Sequence, residues 1–209
     1  MKIQLALDLL DPREALRVVR EASPYVDIIE VGTSLLKQSG IAIVEQIRSI
    51  TCKPLFLDMK IIDGPEREAT LMAQCKPDYY SMLAIASDIA VRKVLAIAAD
   101  NGSQVVFDLQ SVADPVLRAL ELKALGAQRL CIHKNMDCGD DLVRGFSEFI
   151  EIKRETGLPL SLAGGISLSS VGLIRDRLDP DIIIVGGAIL KATDYAEAAS
   201  AFKQGICLA

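Results

Sequence analysis

The chain has 209 residues, 51% of them hydrophobic and 24% charged, which excludes a disordered tail and a disulfide-stapled miniprotein. That length predicts one domain over residues 1–209. Lys+Arg 23 against Asp+Glu 28 gives a net charge of −5, aromatic residues are 4% and Trp is absent, so neither a basic groove nor a stacking platform for nucleic acid is expected.

The first apolar run, Ile3–Leu7, reads as a strand, and Asp8 follows too soon for a signal-peptide core. Asp11-Pro12-Arg13-Glu14 then supplies a helix N-cap, a proline at the first helical position and a capping-box glutamate. Ala15, Val18, Val19 and Ala22 form the apolar stripe of that helix. Val26–Val31 and Pro54–Leu57 are the next strands, and Asp63-Gly64-Pro65-Glu66 reads as a second capping box. Tyr79–Leu83 and Gln104–Leu109 follow. Asp114-Pro115 starts another helix, with Val116, Leu117, Leu120 and Leu125 as its stripe. Arg129–Ile132, Leu158–Leu162 and Ile182–Val185 complete the strands, and Asp194-Tyr195-Ala196-Glu197 opens the last helix. Gly102, Gly126 and Gly157 are helix stops.

Most runs are apolar on both faces, as parallel strands covered by helices should be. Eight runs in this length give a repeat of about 26 residues, one strand plus one helix. The prediction is a compact α/β fold, a closed (β/α)8 TIM barrel. An open doubly wound sheet would carry a glycine-rich first turn, where this chain reads Asp8-Leu9-Leu10-Asp11. The longest apolar stretch, Ile182 to Leu190, is broken by two glycines and is about half the ~20 residues of a membrane span, so no membrane partner is expected. Five cysteines without CxxC spacing read as free thiols, and a cytoplasmic protein is expected. Cys131-x-His133 has no second cluster to complete a metal site.

A barrel places its active site at the carboxyl ends of the strands. Those ends carry Asp8, Glu30, Asp58 with Lys60, Asp108 and His133, the sequence's one histidine. Asp8 is not needed as a cap, because Asp11 serves; Asp11, Asp114 and Asp194 are read as structural. Glu30 shares its face with Ile28, and a carboxylate facing inward at a barrel mouth needs a cation or a donor. Asp58 and Lys60, two apart, both point inward if the strand persists, either as site residues or as a buried ion pair. Asp63 is divided between cap and function. The pairs Gly164-Gly165 and Gly186-Gly187 follow the seventh and eighth strands, where barrels of this kind bind phosphate through backbone N–H groups.

Asp58-Met59-Lys60-Ile61-Ile62-Asp63 resembles the D-x-K-x-x-D signature of the orotidine 5′-phosphate decarboxylase suprafamily. Leu5-Ala6-Leu7-Asp8, Val26 to Thr33 and Val185 to Ile189 are similar to 3-hexulose-6-phosphate synthases and their sister 3-keto-L-gulonate-6-phosphate decarboxylases. The likeness runs from Met1 to about Phe202. It implies that Glu30 and Asp58 bind Mg²⁺, that Lys60 stabilises an enediolate oxygen, and that His133 transfers a proton. It also implies that Asp63 enters the neighbouring subunit's site in a homodimer. Asp8 would contact a substrate hydroxyl, Asp108 would be an acidic site residue, and Gly164, Gly165, Gly186 and Gly187 would hold the phosphate of a ketose substrate.

Departures from the pattern are His133-Lys134-Asn135-Met136-Asp137, Cys138-Gly139-Asp140-Asp141, Ser81-Met82-Leu83-Ala84 and Gly64-Pro65, so the sixth loop and the substrate pocket are expected to be remodelled. The decarboxylases carry arginines where this chain has Met136 and Gly187. The expected activity is therefore a Mg²⁺-dependent carbon–carbon lyase, an aldolase joining ribulose 5-phosphate to formaldehyde. The decarboxylase is the alternative, and a catalytically inactive sugar-phosphate-binding barrel the second.

Overall fold

Eight apolar runs that can satisfy their backbone only by pairing side by side close into a ring. In the computed structural model, which describes residues 1–134 and 145–207 (backbone only at 145 and 146), the strands are β1 Lys2–Leu7, β2 Ile28–Val31, β3 Leu55–Ile61 and β4 Tyr79–Leu83. They continue as β5 Gln104–Asp108, β6 Arg129–His133, β7 Leu160–Ala163 and β8 Ile182–Val185. Every neighbouring pair is parallel, and β8 returns to β1 through Ile3↔Ile183 and Leu5↔Val185, so the expected closed barrel is the fold. The helices are α1 Pro12–Ala22, α2 Thr33–Ser39, α3 Ala42–Arg48, α4 Pro65–Cys75 and α5 Asp88–Asn101. They are followed by α6 Pro115–Ala124, α7 Gly145–Thr156, α8 Leu168–Leu178, α9 Gly187–Leu190 and α10 Tyr195–Cys207.

Two apolar shells hold the ring together. Inside it, Ile28, Phe56, Val106, Cys131, Ala163 and Ile182 pack on one another. Outside it, the alternate residues of each strand (Ile3, Leu5, Ile29, Leu55, Leu57) meet the helices. Each such side chain, removed from water, contributes about 2 kcal/mol. The α1 stripe is buried as its spacing predicts. In α6 the expected stripe holds in part: Val116 and Leu125 pack against the core, but Leu117 is 54% and Leu120 38% exposed, and the buried residues are Ala119 and Leu122. Ala119 and Leu122 mark the inward face of α6, and Leu117 and Leu120 fall on its outward face.

Asp11, Asp114 and Asp194 cap their helices by accepting the Arg13, Leu117 and Glu197 amides. Glu14 does not close a capping box; it accepts the Tyr195 hydroxyl. The α4 start also differs from the box expected on Asp63: Gly64 is the N-cap, and its amide donates to Glu68 Oε1 at 2.8 Å. Cys52, Cys75, Cys131 and Cys207 are free thiols, while Cys138 lies outside the described residues. Among those residues no helix is long and apolar enough to cross a membrane.

Candidate active site

The period-two alternation that fills the barrel with Ile28, Phe56 and Val106 brings the next inward residue of each strand to the mouth. There Glu30, Asp58, Ser81, Asp108 and His133 line a cavity of about 770 Å³, with Asp8 at its wall just past β1. The Lys60 side chain joins them by an irregular route. Register on β4 steps from Leu57↔Tyr80 to Ile61↔Met82, so β3 bulges across the signature, and Lys60 adopts a left-handed φ of 48°. That conformation is rare outside glycine, and it is held here by the Lys60 amide donating to Ser81 Oγ at 2.8 Å.

The result is a chain of contacts between alternating charges. Lys60 Nζ donates to Asp58 Oδ1 at 3.0 Å and to Asp108 Oδ2 at 2.8 Å. His133 Nδ1 lies 3.0 Å from the same Asp108 oxygen. The Ser81 hydroxyl donates to Asp58 Oδ1 at 2.7 Å and the Thr33 hydroxyl to Asp58 Oδ2 at 2.7 Å, while the Gln110 amide donates to Asp108 Oδ1 at 2.9 Å. Burial by itself would raise the Asp108 carboxyl, but the His133 hydrogen bond and the Lys60 charge hold it down at about 2. Lys60 is pushed the other way: burial opposes its charge, and Asp108 and Asp58 outweigh burial and keep it protonated.

On the β1–β2 side the balance reverses. Glu30 is 6% exposed and accepts one hydrogen bond, from Gln4 Nε2 at 2.6 Å. Burial, then the nearby Asp58 charge, raises its carboxyl well above the ordinary range, and Asp8 is raised by the same two causes. Lys60 pairs with Asp58 but with neither Glu30 nor Asp8, and a hard divalent ion beside Glu30 and Asp58 would relieve the repulsion that remains. Among the described residues no group of three His, Cys, Asp or Glu converges on one point. Glu30 with Asp58 would thus leave the remaining positions to water and substrate oxygens, the usual habit of Mg²⁺.

Glycines set the shape. A Cβ on Gly32, between Glu30 and Thr33, would lie 2.3 Å from Asp8 Oδ1 and 2.7 Å from the Leu7 carbonyl oxygen, so only glycine lets β1 and β2 approach here. Gly164 has φ +107°, and its Cβ would lie 2.0 Å from the Lys134 carbonyl oxygen. With Gly165, Gly186 and Gly187 it lines the cavity, and Asp8 Oδ2 lies 3.4 Å from the place a Cβ on Gly186 would occupy.

Asp63 is exposed and lies outside this cavity, lining a shallow depression with Glu66, Arg67 and Lys93. Among the described residues no hydrogen bond engages its side chain, and Gly64, not Asp63, is the N-cap of α4, so the capping role weighed for it is absent. Asn135 to Asp141, with Met136, fall outside the described residues. Sequence reasoning passed over Gln4, Thr33, Ser81 and Lys191. The inward parity of β1 and β4 marks Gln4 and Ser81, and Lys191 stands one helical turn after Gly187.

Residues 1–202 match the sequence profile of the orotidine 5′-phosphate decarboxylase / HUMPS family. The 3-hexulose-6-phosphate synthase of Bacillus subtilis (strain 168) is 31% identical over 206 residues, 98% of each chain. The crystal structure of 3-hexulose-6-phosphate synthase from Salmonella typhimurium superposes with a TM-score of 0.92 at 32% identity, covering 99% of each chain. A 3-keto-L-gulonate-6-phosphate decarboxylase from Vibrio cholerae has the same fold at TM-score 0.86, covering 99% of this chain and 97% of its own, but is 23% identical.

Proposed function

The chain belongs to the orotidine 5′-phosphate decarboxylase / HUMPS family, and from that premise we propose that it is an aldehyde-lyase of the 3-hexulose-6-phosphate synthase type, joining formaldehyde to ribulose 5-phosphate. The observation that carries this reading is the continuous Asp58–Lys60–Asp108–His133 contact chain at the barrel mouth. Because Asp108 is an acceptor throughout the neutral range, His133 Nδ1 carries a hydrogen toward it, which leaves Nε2 as the proton-accepting end.

His133 Nε2 removes a proton from the hydroxymethyl carbon beside the ketose carbonyl. Lys60, fixed between two carboxylates, faces the oxygen on which negative charge develops in the resulting enediolate. That carbon attacks formaldehyde, a carbon–carbon bond forms, and the former aldehyde oxygen takes up a proton. A divalent ion such as Mg²⁺, held by Glu30 and Asp58, would supply further positive charge beside the ketose oxygens. Asp8 contacts a substrate hydroxyl, and the amides around Gly164, Gly165, Gly186 and Gly187 receive the phosphate, so remote binding orients the reacting end. Asp63, exposed and without a hydrogen bond among the described residues, serves the neighbouring site of a homodimer.

The decarboxylase reading is weaker, because this chain has Gly187 where an arginine is characteristic of that enzyme. A non-catalytic barrel would have no use for a buried charge chain, which is costly to maintain. The deciding experiment measures both reactions side by side with Mg²⁺: ribulose 5-phosphate with formaldehyde, and CO₂ release from 3-keto-L-gulonate 6-phosphate. Formaldehyde consumption is expected to be far the faster; faster decarboxylation reverses the assignment.

A further inference from the structure

The charges lining the cavity are unevenly placed. Glu30, Asp58 and Asp108 lie on β2, β3 and β5, while Asp8, just past β1, reaches the edge of the glycine turn, its Oδ2 3.4 Å from the place a Cβ on Gly186 would occupy. None of the described lining residues from β6 through α9 is acidic. The cavity has three lysines. Lys60 is taken up by Asp58 and Asp108, and Lys134 by Glu148 at 2.8 Å. Lys191 lines the cavity with no ionic partner among the described residues. It follows α9, and its Cε and Nζ lie 3.8 and 4.0 Å from the place a Cβ on Gly187 would occupy. Its ammonium group therefore stands over the Gly186-Gly187 turn, where the backbone is bare.

We propose that Lys191 is a substrate-binding residue that supplies the side-chain positive charge for the dianionic phosphate end of the substrate. Backbone amides offer hydrogen bonds but no net charge, and the acidic side of the cavity repels a dianion. An exposed ammonium above the glycine turn, with no ionic partner among the described residues, meets both needs. It also sets polarity: the phosphate is drawn to the β7–β8 side, which points the ketose end at Glu30, Asp58 and Lys60. The role of Lys191 rests on the reading of the glycine side as a phosphate site, and it does not depend on which carbon–carbon reaction follows.

The test uses inorganic phosphate as probe, by titration calorimetry, on the whole protein and on Lys191→Ala and Lys191→Arg. Loss of one exposed charge-assisted contact is expected to weaken phosphate binding about tenfold in Lys191→Ala, with Lys191→Arg close to wild type. Gly187 has no left-handed φ and an added Cβ meets only ordinary contacts, so Gly187→Arg combined with Lys191→Ala is expected to recover binding. With ribulose 5-phosphate and formaldehyde, the loss in Lys191→Ala should fall on KM more than on kcat. Equal phosphate affinity in wild type and Lys191→Ala overturns the role of Lys191 while the phosphate site stands. A wild type that does not bind phosphate overturns both. A wild type that binds phosphate through Lys191 but does not consume formaldehyde leaves Lys191 in place and removes the aldolase reading.

Discussion

The two sides of the barrel mouth are built on opposite principles. On the acid side the central groups are fixed by one another: Asp58 by Lys60, Ser81 and Thr33, and Asp108 by Lys60, His133 and the Gln110 amide, all at 2.7–3.0 Å. On the glycine side the chain makes room by omission, with bare backbone at Gly164, Gly165, Gly186 and Gly187 and, among the described residues, one lysine without an ionic partner nearby. Interlocked groups resist displacement, and losing one leaves its partners buried and uncompensated. Bare backbone is tolerant unless a new side chain collides with something. Damage to the acid side should therefore fall on turnover, and damage to the glycine side on binding.

The largest effects belong to the acid side. Chelation is expected to abolish activity and Mg²⁺ to restore it; full activity in excess EDTA would remove the ion from Glu30 and Asp58. Lys60→Ala should lower kcat by about 10³-fold, the range for losing one fixed charge at a developing oxyanion, in a protein whose circular dichroism is unchanged. A loss confined to KM would place Lys60 outside the chemistry. If Asp63 completes the neighbouring site, mixing inactive Lys60→Ala and Asp63→Ala proteins should recover about a quarter of wild-type activity, because half of the randomly exchanged dimers contain one site without either lesion. No recovery after confirmed subunit exchange counts against shared sites.

The glycine side divides within itself, and Gly164→Ala is compared with Gly187→Ala to expose the division. At Gly164 the new methyl would lie 2.0 Å from the Lys134 carbonyl oxygen, on a backbone with φ +107°. The seventh loop must shift, and KM for the sugar phosphate should rise about tenfold with a smaller change in kcat. At Gly187 the nearest atom is Lys191 Cε at 3.8 Å, and steady-state kinetics should change little. Equal effects at the two positions would refute the view that close approach, and not glycine as such, shapes this side.

Legibility in the sequence followed the same division. Strand ends and period-two parity are local signals, so the barrel and the rim residues Asp8, Glu30, Asp58, Asp108 and His133 could be read directly. The route by which Lys60 arrives could not. A left-handed lysine inside a strand violates local propensity and is held by Ser81 from β4, a partner 21 residues away. Hydroxyls such as Thr33 and Ser81 look like ordinary polar positions until a carboxylate is seen opposite them. The α6 stripe was legible in half: Val116 and Leu125 pack against the core, but Leu117 and Leu120 face outward and the fully buried positions are Ala119 and Leu122, because large residues suggest burial more strongly than a small one does. At Asp63 an Asp-Gly-Pro-Glu spacing fits a capping box, but Gly64 starts the helix and Glu68 closes on it.

The smallest effect is one of stability, and its sign separates a paired acid from a merely buried one. Asp108 has its carboxyl lowered from 3.8 to about 2 in the folded chain, so the native state binds its proton less readily than the unfolded state does. Its stabilising contribution is therefore fully present above pH 3.8 and is lost as pH falls through 2. The shift corresponds to about 2 kcal/mol at neutral pH. Lys60, raised above its ordinary value, contributes in the opposite sense and loses its share only as strongly alkaline pH is approached. Urea unfolding of wild type and Asp108→Asn should differ by about 2 kcal/mol at pH 6, and that gap should shrink by roughly half by pH 3. Burial without pairing would have raised the carboxyl, and the gap would then widen on acidification. A gap that stays constant or widens would show that Asp108 is not held ionised by Lys60 and His133, and would break the interlocking assigned to the acid side.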